Sequence, residues 1–169
     1  YTIGGDASPD DDYTALSSVV TIPADTNSTV IDVAVLDDQI LEDSETVVVT
    51  FDTITGGDGD ITIGAANSAT VTIDDNDSAE VSIVVVPPNA AEPGTDGQFT
   101  VSLSPGMTSS TPTVISYTIG GDASPDDDYT ALAGVVTIPA DTNSTVIGVA
   151  VLDDQILEDS ETVVVTLDT

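Results

Sequence analysis

The chain has 169 residues, enough for one large domain or two ordinary ones, and it carries 31 acidic side chains with no lysine, arginine or histidine. The net charge of −31 makes nucleic acids and anionic membranes poor partners, and the lack of basic side chains predicts that no salt bridge forms within the chain. No apolar run approaches the roughly 18 residues of a membrane span, and the absence of cysteine excludes disulfides and thiolate metal sites.

The apolar residues indicate an all-β protein. They make up 40% of the chain, and most are valine and isoleucine interleaved with threonine. Alternation with a period of two predicts strands, separated by clusters of Gly, Pro, Asn and Asp. In chain order the predicted strands are 18–22, 29–36, 45–51, 69–73, 80–86, 98–103 and 113–119. With no helical periodicity, this pattern is typical of an immunoglobulin-like antiparallel β-sandwich.

The same alternation predicts which side chains face the core. In the strands 29–36 and 45–51 the inward residues are Ile31, Val33, Val35, Val47, Val49 and Phe51. Tyr13 and Tyr129 are predicted to be core or corner residues rather than ligand contacts.

An internal repeat sets the architecture. Residues 1–53 match residues 117–169 at 49 of 53 positions, which gives a period of 116 residues. The four differences are Ser17/Ala133, Ser18/Gly134, Asp32/Gly148 and Phe51/Leu167. Near-identity at this spacing predicts tandem copies of one sandwich domain.

The predicted boundary lies after Asp77. Residues 1–77 then form the C-terminal part of one domain without its opening strands, and residues 78–169 form the N-terminal part of the next without its closing strand. Because a missing strand leaves an unpaired edge, we expect the units either to be unstable or to borrow strands from neighbouring copies.

An acidic loop is the strongest chemical signal. The stretch "VLDDQILEDSE" at 35–45 places five carboxylates within nine residues and returns unchanged at 151–161. Two carboxylates about 4 Å apart repel by about 4 kcal/mol at an effective dielectric constant near 20, so a bound cation is favoured over a merely solvated acidic face. Carboxylate and amide oxygens suit Ca²⁺, and softer metals are disfavoured because histidine and cysteine are absent.

The stretch "DDDYTALSSVVTIPADTNSTVIDVAVLDDQILEDSETVVVTF" at 10–51, closed by "ATVTIDDND" at 69–77, resembles the Calx-β domain. That domain occurs as a calcium sensor in sodium–calcium exchangers, in integrin β4 and in long bacterial surface proteins. The resemblance covers nearly the whole chain and implies a calcium cluster at one end of the sandwich. One departure is Asp10, at a position where the family often has a glycine with positive φ, a conformation that aspartate tolerates better than most residues.

The resemblance also implies the metal ligands. In the first copy they are Asp12, Asp37, Asp38, Glu42, Glu45, Asp75, Asn76 and Asp77, and in the second copy they are Glu92, Asp128, Asp153, Asp154, Glu158 and Glu161. Glu92 lies in "AAEPGT", which fits the family pattern only loosely. The implied cofactor is Ca²⁺.

Three functions remain open from the sequence. The first is a calcium-binding structural repeat of a long extracellular or cell-surface adhesin, stalk or filament, in which Ca²⁺ rigidifies the domain ends and joints. Its partners would be neighbouring copies of the repeat, with self-association into a filament through strand exchange or calcium bridges. The second is a calcium-sensing regulatory domain of a larger receptor or transporter. The third, an enzyme, is disfavoured because four Tyr, two Phe and no Trp give no aromatic platform for a glycosidase.

Overall fold

The computed structural model describes residues 1–86 and 89–168, and these residues form strands and loops without a helix. The strands are β1 Thr2–Gly5, β2 Ile40–Leu41, β3 Glu45–Thr50, β4 Ser68–Ile73, β5 Val81–Val85, β6 Gly97–Leu103, β7 Thr108–Ser109, β8 Thr113–Gly121, β9 Val135–Ile138, β10 Ser144–Val149 and β11 Val163–Leu167. Within the described part of the chain no helix is long and apolar enough to cross a bilayer.

The chain divides into two compact units. The first unit comprises Tyr1–Asp38 and Asp43–Asn76, and the second comprises Gln39–Glu42 and Asp77–Thr169. The sequence-based boundary after Asp77 stays a prediction.

The first unit contains one antiparallel sheet in the order β1, β3, β4. The register places Gly5 of β1 opposite Val47 of β3, and Thr50 of β3 opposite Ser68 of β4. Val47 is 1% exposed and Tyr13 is 2% exposed, so a β-branched strand residue and the tyrosine after the acidic turn anchor this unit.

The second unit contains the two sheets of a β-sandwich, in the orders β10, β6, β5 and β11, β8, β9. Both sheets contribute to one buried cluster, which consists of Val101, Leu103, Met107, Ile115, Tyr117, Ile138, Ile147 and Val165. Tyr129 and Val149 are buried as well. In the second copy the counterparts of Ile31, Val33 and Val49 are all buried, as predicted, and in the first copy Val47 is buried. Val35, also predicted to face the core, is 56% exposed, because the stretch 29–36 forms no strand in the first copy.

A short parallel pair completes the second unit. β2 pairs with β7, with Ile40 opposite Thr108 and Leu41 opposite Ser109. Leu41 packs against the core of the second unit, although Asp38 and Asp43, which flank the segment Gln39–Glu42, belong to the first unit.

Two predicted strands are wrong for the first copy. Residues 18–22 and 29–36 are not strands there, whereas their counterparts in the second copy form β9 and β10. β9 pairs with residues 113–116 of β8, and β10 pairs with β6. The first copy has no counterparts of these two partners within the 169 residues, so the same sequences lack a ladder to join.

Two further expectations were wrong. Phe51, predicted to face the core, is 44% exposed and makes an edge contact with the ring of Tyr1 at 6.4 Å, whereas its counterpart Leu167 packs on the core of the second unit. The first unit has no second sheet to cover Phe51. The expectation of no salt bridge overlooked the α-ammonium group, since the Tyr1 nitrogen lies 3.4 Å from Asp52 Oδ1.

Candidate metal centre

A tight turn positions Asp12. The backbone N–H of Ser8 donates to Asp12 Oδ2 at 2.5 Å, and the Asp12 N–H donates to the Ser8 carbonyl at 2.9 Å. The next residue, Tyr13, is buried and fixes the turn on the unit, as predicted. The Leu36 N–H donates to the Asp12 carbonyl at 2.9 Å, which places Asp12 beside the start of the acidic loop 37–45.

Asp10 gives this turn its shape. Its φ of 71° lies in the left-handed region, and Asp126 in the second copy has a φ of 69°. The expectation that an aspartate takes the glycine-type conformation here is confirmed. Asp10 Oδ1 also accepts the Ala15 N–H at 3.2 Å, a local bond that favours this conformation.

Three carboxylates meet in the first copy. Asp12, Glu42 and Glu45 each bring one oxygen to within 4.8 Å of the others, and all three side chains are half-buried. The sequence supplies no basic side chain to neutralise them. Carboxylates this close repel when ionised, and a hard cation that coordinates oxygen relieves that repulsion. The donor set therefore fits Ca²⁺.

The strand after β3 brings a second acidic stretch to the loop. Asn76 Nδ2 donates to Asp37 Oδ1 at 3.3 Å, and Ser44 Oγ donates to Asp74 Oδ1 at 2.8 Å. Two of the predicted ligands, Asp37 and Asn76, are thereby in contact. The other predicted ligands of this copy, Asp38, Asp75 and Asp77, each have an interaction partner but do not belong to the group of three, so their role as ligands stays a prediction.

The second copy repeats the turn. Ser124 N–H donates to Asp128 Oδ2 at 2.5 Å, and Leu152 N–H donates to the Asp128 carbonyl at 2.9 Å. A hydrogen bond with the Asp128 side chain raises the pKa of Glu161, and reduced hydration and the charges of Asp128, Glu158 and Asp122 raise this pKa further. A proton on Glu161 is the alternative to a cation at this position.

Glu158 is subject to the same crowding. Reduced hydration raises its pKa, and the charges of Asp128, Asp154, Glu92 and Asp127 raise it further. Glu158 is an exposed side chain. A bound cation would offset the electrostatic repulsion that contributes to its raised pKa. Glu92, the ligand with the loosest motif match, thus lies within electrostatic reach of Glu158.

The predicted ligands of the second copy do not come together as closely as those of the first. Asp128, Glu158 and Glu161 do not meet within 4.8 Å in the described residues. Asp153 is exposed, and Asp154 Oδ1 accepts the Ile156 N–H at 2.6 Å. The ligand set of this copy stays a prediction.

Sequence reasoning missed one supporting aspartate in each copy. Asp122 Oδ1 accepts the backbone N–H of Thr162 at 2.7 Å and its hydroxyl at 2.6 Å, and Asp6 accepts both groups of Thr46 in the same way. These threonines directly follow the predicted ligands Glu45 and Glu161. The available signal was the repeated "GGD", in which the second glycine has a φ of 109° in both copies.

These bonds lower the pKa of both aspartates. The threonine hydroxyl is the largest cause, followed by the threonine backbone N–H. A carboxyl group with a lowered folded-state pKa stabilises the fold above its unfolded-state value and loses that contribution as the pH falls through the folded-state value.

We therefore expect Thr162→Val to lower the unfolding midpoint at neutral pH and to have little effect near pH 2, since the hydroxyl stabilises only the ionised Asp122. The pH window follows from the ordinary aspartate pKa of 3.8 and its downward shift. Thermal unfolding of both proteins between these pH values measures the difference. The control Thr166→Val changes an exposed threonine of β11, the strand that directly follows Thr162, and should give a difference that does not vary with pH. A loss that is equally large in acid would contradict the role of Asp122.

Comparison with known proteins agrees with the motifs. The family model for the Calx-beta domain matches residues 1–77 and again residues 74–169. A search of the curated proteins found no match. Calx-beta domains are β-sandwich modules with structural and binding roles, are associated with calcium, and are typically extracellular parts of membrane proteins. Because the two matches together span the whole chain, this protein belongs to the Calx-beta family and carries tandem copies of its domain.

Proposed function

We propose that the chain is a calcium-binding structural repeat module of a long extracellular adhesin, stalk or filament, in which Ca²⁺ rigidifies the ends of the domains and their joints. The observation that carries this proposal is the meeting of Asp12, Glu42 and Glu45 within 4.8 Å, in a chain without any basic side chain.

Calcium would be held in the first copy by these three carboxylates. Ca²⁺ takes six to eight oxygen ligands with flexible geometry, so backbone carbonyls, water and the neighbouring pair Asp37 and Asn76 are candidates for the remaining positions. In the second copy the corresponding holders would be Asp128, Glu158 and Glu161. The chemistry that the ion supplies is charge neutralisation, which links the turn at Asp12 to the acidic loop.

The likeness of the copies supports a structural role over a regulatory one. A calcium sensor needs domains with different affinities, whereas these copies agree at 49 of 53 positions and keep every predicted ligand of the shared segment. Identical copies give identical geometry at each repeat, which suits a protein whose task is length. The partners would then be neighbouring copies, and the location would be the cell surface.

Calcium titration by isothermal calorimetry tests the proposal. We expect a dissociation constant on the order of 10⁻⁴ M, the range of extracellular calcium modules, and no comparable heat with Mg²⁺. Glu42→Gln with Glu45→Gln should weaken binding in the first copy at least about tenfold, because calcium affinity follows the number of ligand charges. The control Asp32→Asn removes a charge at a position where the second copy has glycine, and it should leave binding unchanged.

Two results would count against the proposal. No calcium heat at millimolar concentration would remove the metal site. A dissociation constant near 10⁻⁷ to 10⁻⁶ M would favour the regulatory alternative, since that is the range of intracellular calcium sensors.

A further inference from the structure

The segment Gln39–Glu42 occupies a different environment from its exact repeat. Ile40 and Leu41 form β2, are half-buried and belong to the second unit. The repeat, residues 155–158, has the same four residues but forms no strand. There Ile156 is 66% exposed and Leu157 is 101% exposed. Since the local sequence is the same, the difference comes from the partner that each copy has within reach.

The partner of the first copy is visible. The Thr108 N–H donates to the Gln39 carbonyl at 3.2 Å, and the Ser110 N–H donates to the Leu41 carbonyl at 3.1 Å. The Ser110 hydroxyl also donates to the Leu41 carbonyl at 3.2 Å. These bonds make β2 the parallel partner of β7 in a two-stranded sheet, and the Leu41 side chain packs against the core of the second unit.

A glycine of the acceptor lies beside the docked segment. Gly106 precedes β7 with a φ of 88°, and the place of a Cβ atom there lies 2.8 Å from Gln39 Oε1. A Cβ atom at position 106 would displace the flexible end of the Gln39 side chain. The contact therefore combines backbone pairing, which is how an added strand is bound, with an apolar side chain packed on the core of the second unit.

We propose that residues 155–157 dock in the same way on β7 of a further copy of the repeat that follows them in the same chain. We infer this partner from the observed pair, in which β7 lies 68 residues after β2 in the same chain. A second molecule is a poorer partner, because its β7 is already paired with its own β2. Each repeat thus contributes a short strand, Gln-Ile-Leu, to the repeat after it.

Matched leucine variants in the 169-residue chain test the first step. Leu41→Ser should lower the unfolding midpoint of the second unit by about 4 °C or more and speed hydrogen exchange at the Thr108 and Ser110 amides. Leu157→Ser changes the same residue in the same local sequence and should do neither. If Leu41→Ser prevents folding, Leu41→Ala with the same exchange measurement replaces it. Equal effects of the two serine variants would overturn the proposal.

A longer chain tests the second step. Repeating the sequence of residues 54–169 once after Thr169 continues the 116-residue period and adds a following β7. In that chain the new amides equivalent to Thr108 and Ser110 should be protected from exchange, and Leu157→Ser should remove this protection while leaving the original pair protected. No effect of Leu157→Ser in the longer chain would contradict the proposal.

Two further measurements test whether docking occurs between molecules and whether it can be measured without calcium. Sedimentation of the 169-residue chain should show no dimer that depends on Leu157, because such a dimer would place the partner in a second molecule and overturn docking within one chain. The exchange measurements are made in calcium and in EGTA. The leucine variants are compared with the parent within each buffer, so the comparison can be made whether or not the chain binds calcium.

Discussion

Calcium should raise the unfolding midpoint of this chain by at least about 5 °C relative to EGTA, and Mg²⁺ should raise it much less. A ligand that binds only the folded state stabilises it by RT ln(1 + [L]/Kd), about 2.7 kcal/mol for each site at a hundredfold excess over Kd. For a protein of this size, 1 kcal/mol corresponds to roughly 2–4 °C. Differential scanning calorimetry in the three buffers measures the shift.

Replacing the clustered glutamates with glutamine should stabilise the protein in EGTA and destabilise it in calcium. In EGTA a variant with glutamine at Glu42, Glu45, Glu158 and Glu161 should be more stable than the parent, because the raised pKa values of Glu158 and Glu161 mean that their ionised forms oppose folding. In calcium the same variant should be less stable than the parent, since the ligand charges are gone. The parent is therefore the less stable protein in EGTA and the more stable protein in calcium.

A control with the same change in charge separates site binding from general screening. Asp25, Asp58, Asp60 and Asp141 are exposed, and none belongs to the group of three, so replacing all four with asparagine removes as many negative charges as the glutamine variant does. Asparagine also tolerates the left-handed φ of Asp25 and Asp141. This control should keep the full calcium shift. If it loses the shift together with the glutamine variant, the carboxylates form only a solvated face and the assigned ligands must be withdrawn.

The sequence predicted those features that depend on local pattern. Alternation identified the strands 45–51, 69–73, 80–86, 98–103 and 113–119, and the structure has β3, β4, β5, β6 and β8 at these places. The left-handed Asp10 was expected from the resemblance to the Calx-β family, and Tyr13 was expected to be a core or corner residue; both expectations are confirmed. In these cases the chain itself supplies the partner or needs none.

The sequence could not predict features that depend on distant partners. The stretch 29–36 alternates as well as its counterpart β10, yet only β10 has β6 beside it. Ile40 and Leu41 read as part of an acidic loop, and nothing local indicates that they pair with β7. The bond from Thr46 to Asp6 joins residues 40 positions apart, so the role of "GGD" becomes visible only in three dimensions.

Gly121→Ala should destabilise the second unit by at least about 2 kcal/mol, while Gly120→Ala should change its stability by no more than about 1 kcal/mol. Gly121 ends β8 with a φ of 109°, and a Cβ atom there would lie 2.0 Å from the Thr162 carbonyl oxygen. At Gly120 a Cβ atom meets nothing within 4 Å and φ is not positive. Thermal unfolding of the two variants gives the comparison.

The reason for the close approach at Gly121 lies in the bonds that follow it. The N–H groups of Asp122 and Ala123 both donate to the Thr162 carbonyl at 3.1 Å, while the Asp122 carboxylate accepts from the same threonine. An alanine at 121 must push this carbonyl away, and the displacement reaches Glu161 through one peptide bond. Gly121→Ala should therefore weaken calcium binding in the second copy as well as the fold, whereas Gly120→Ala should leave calcium binding unchanged. Equal calcium affinity in the two variants would show that the "GGD" turn supports the sandwich without positioning the acidic cluster.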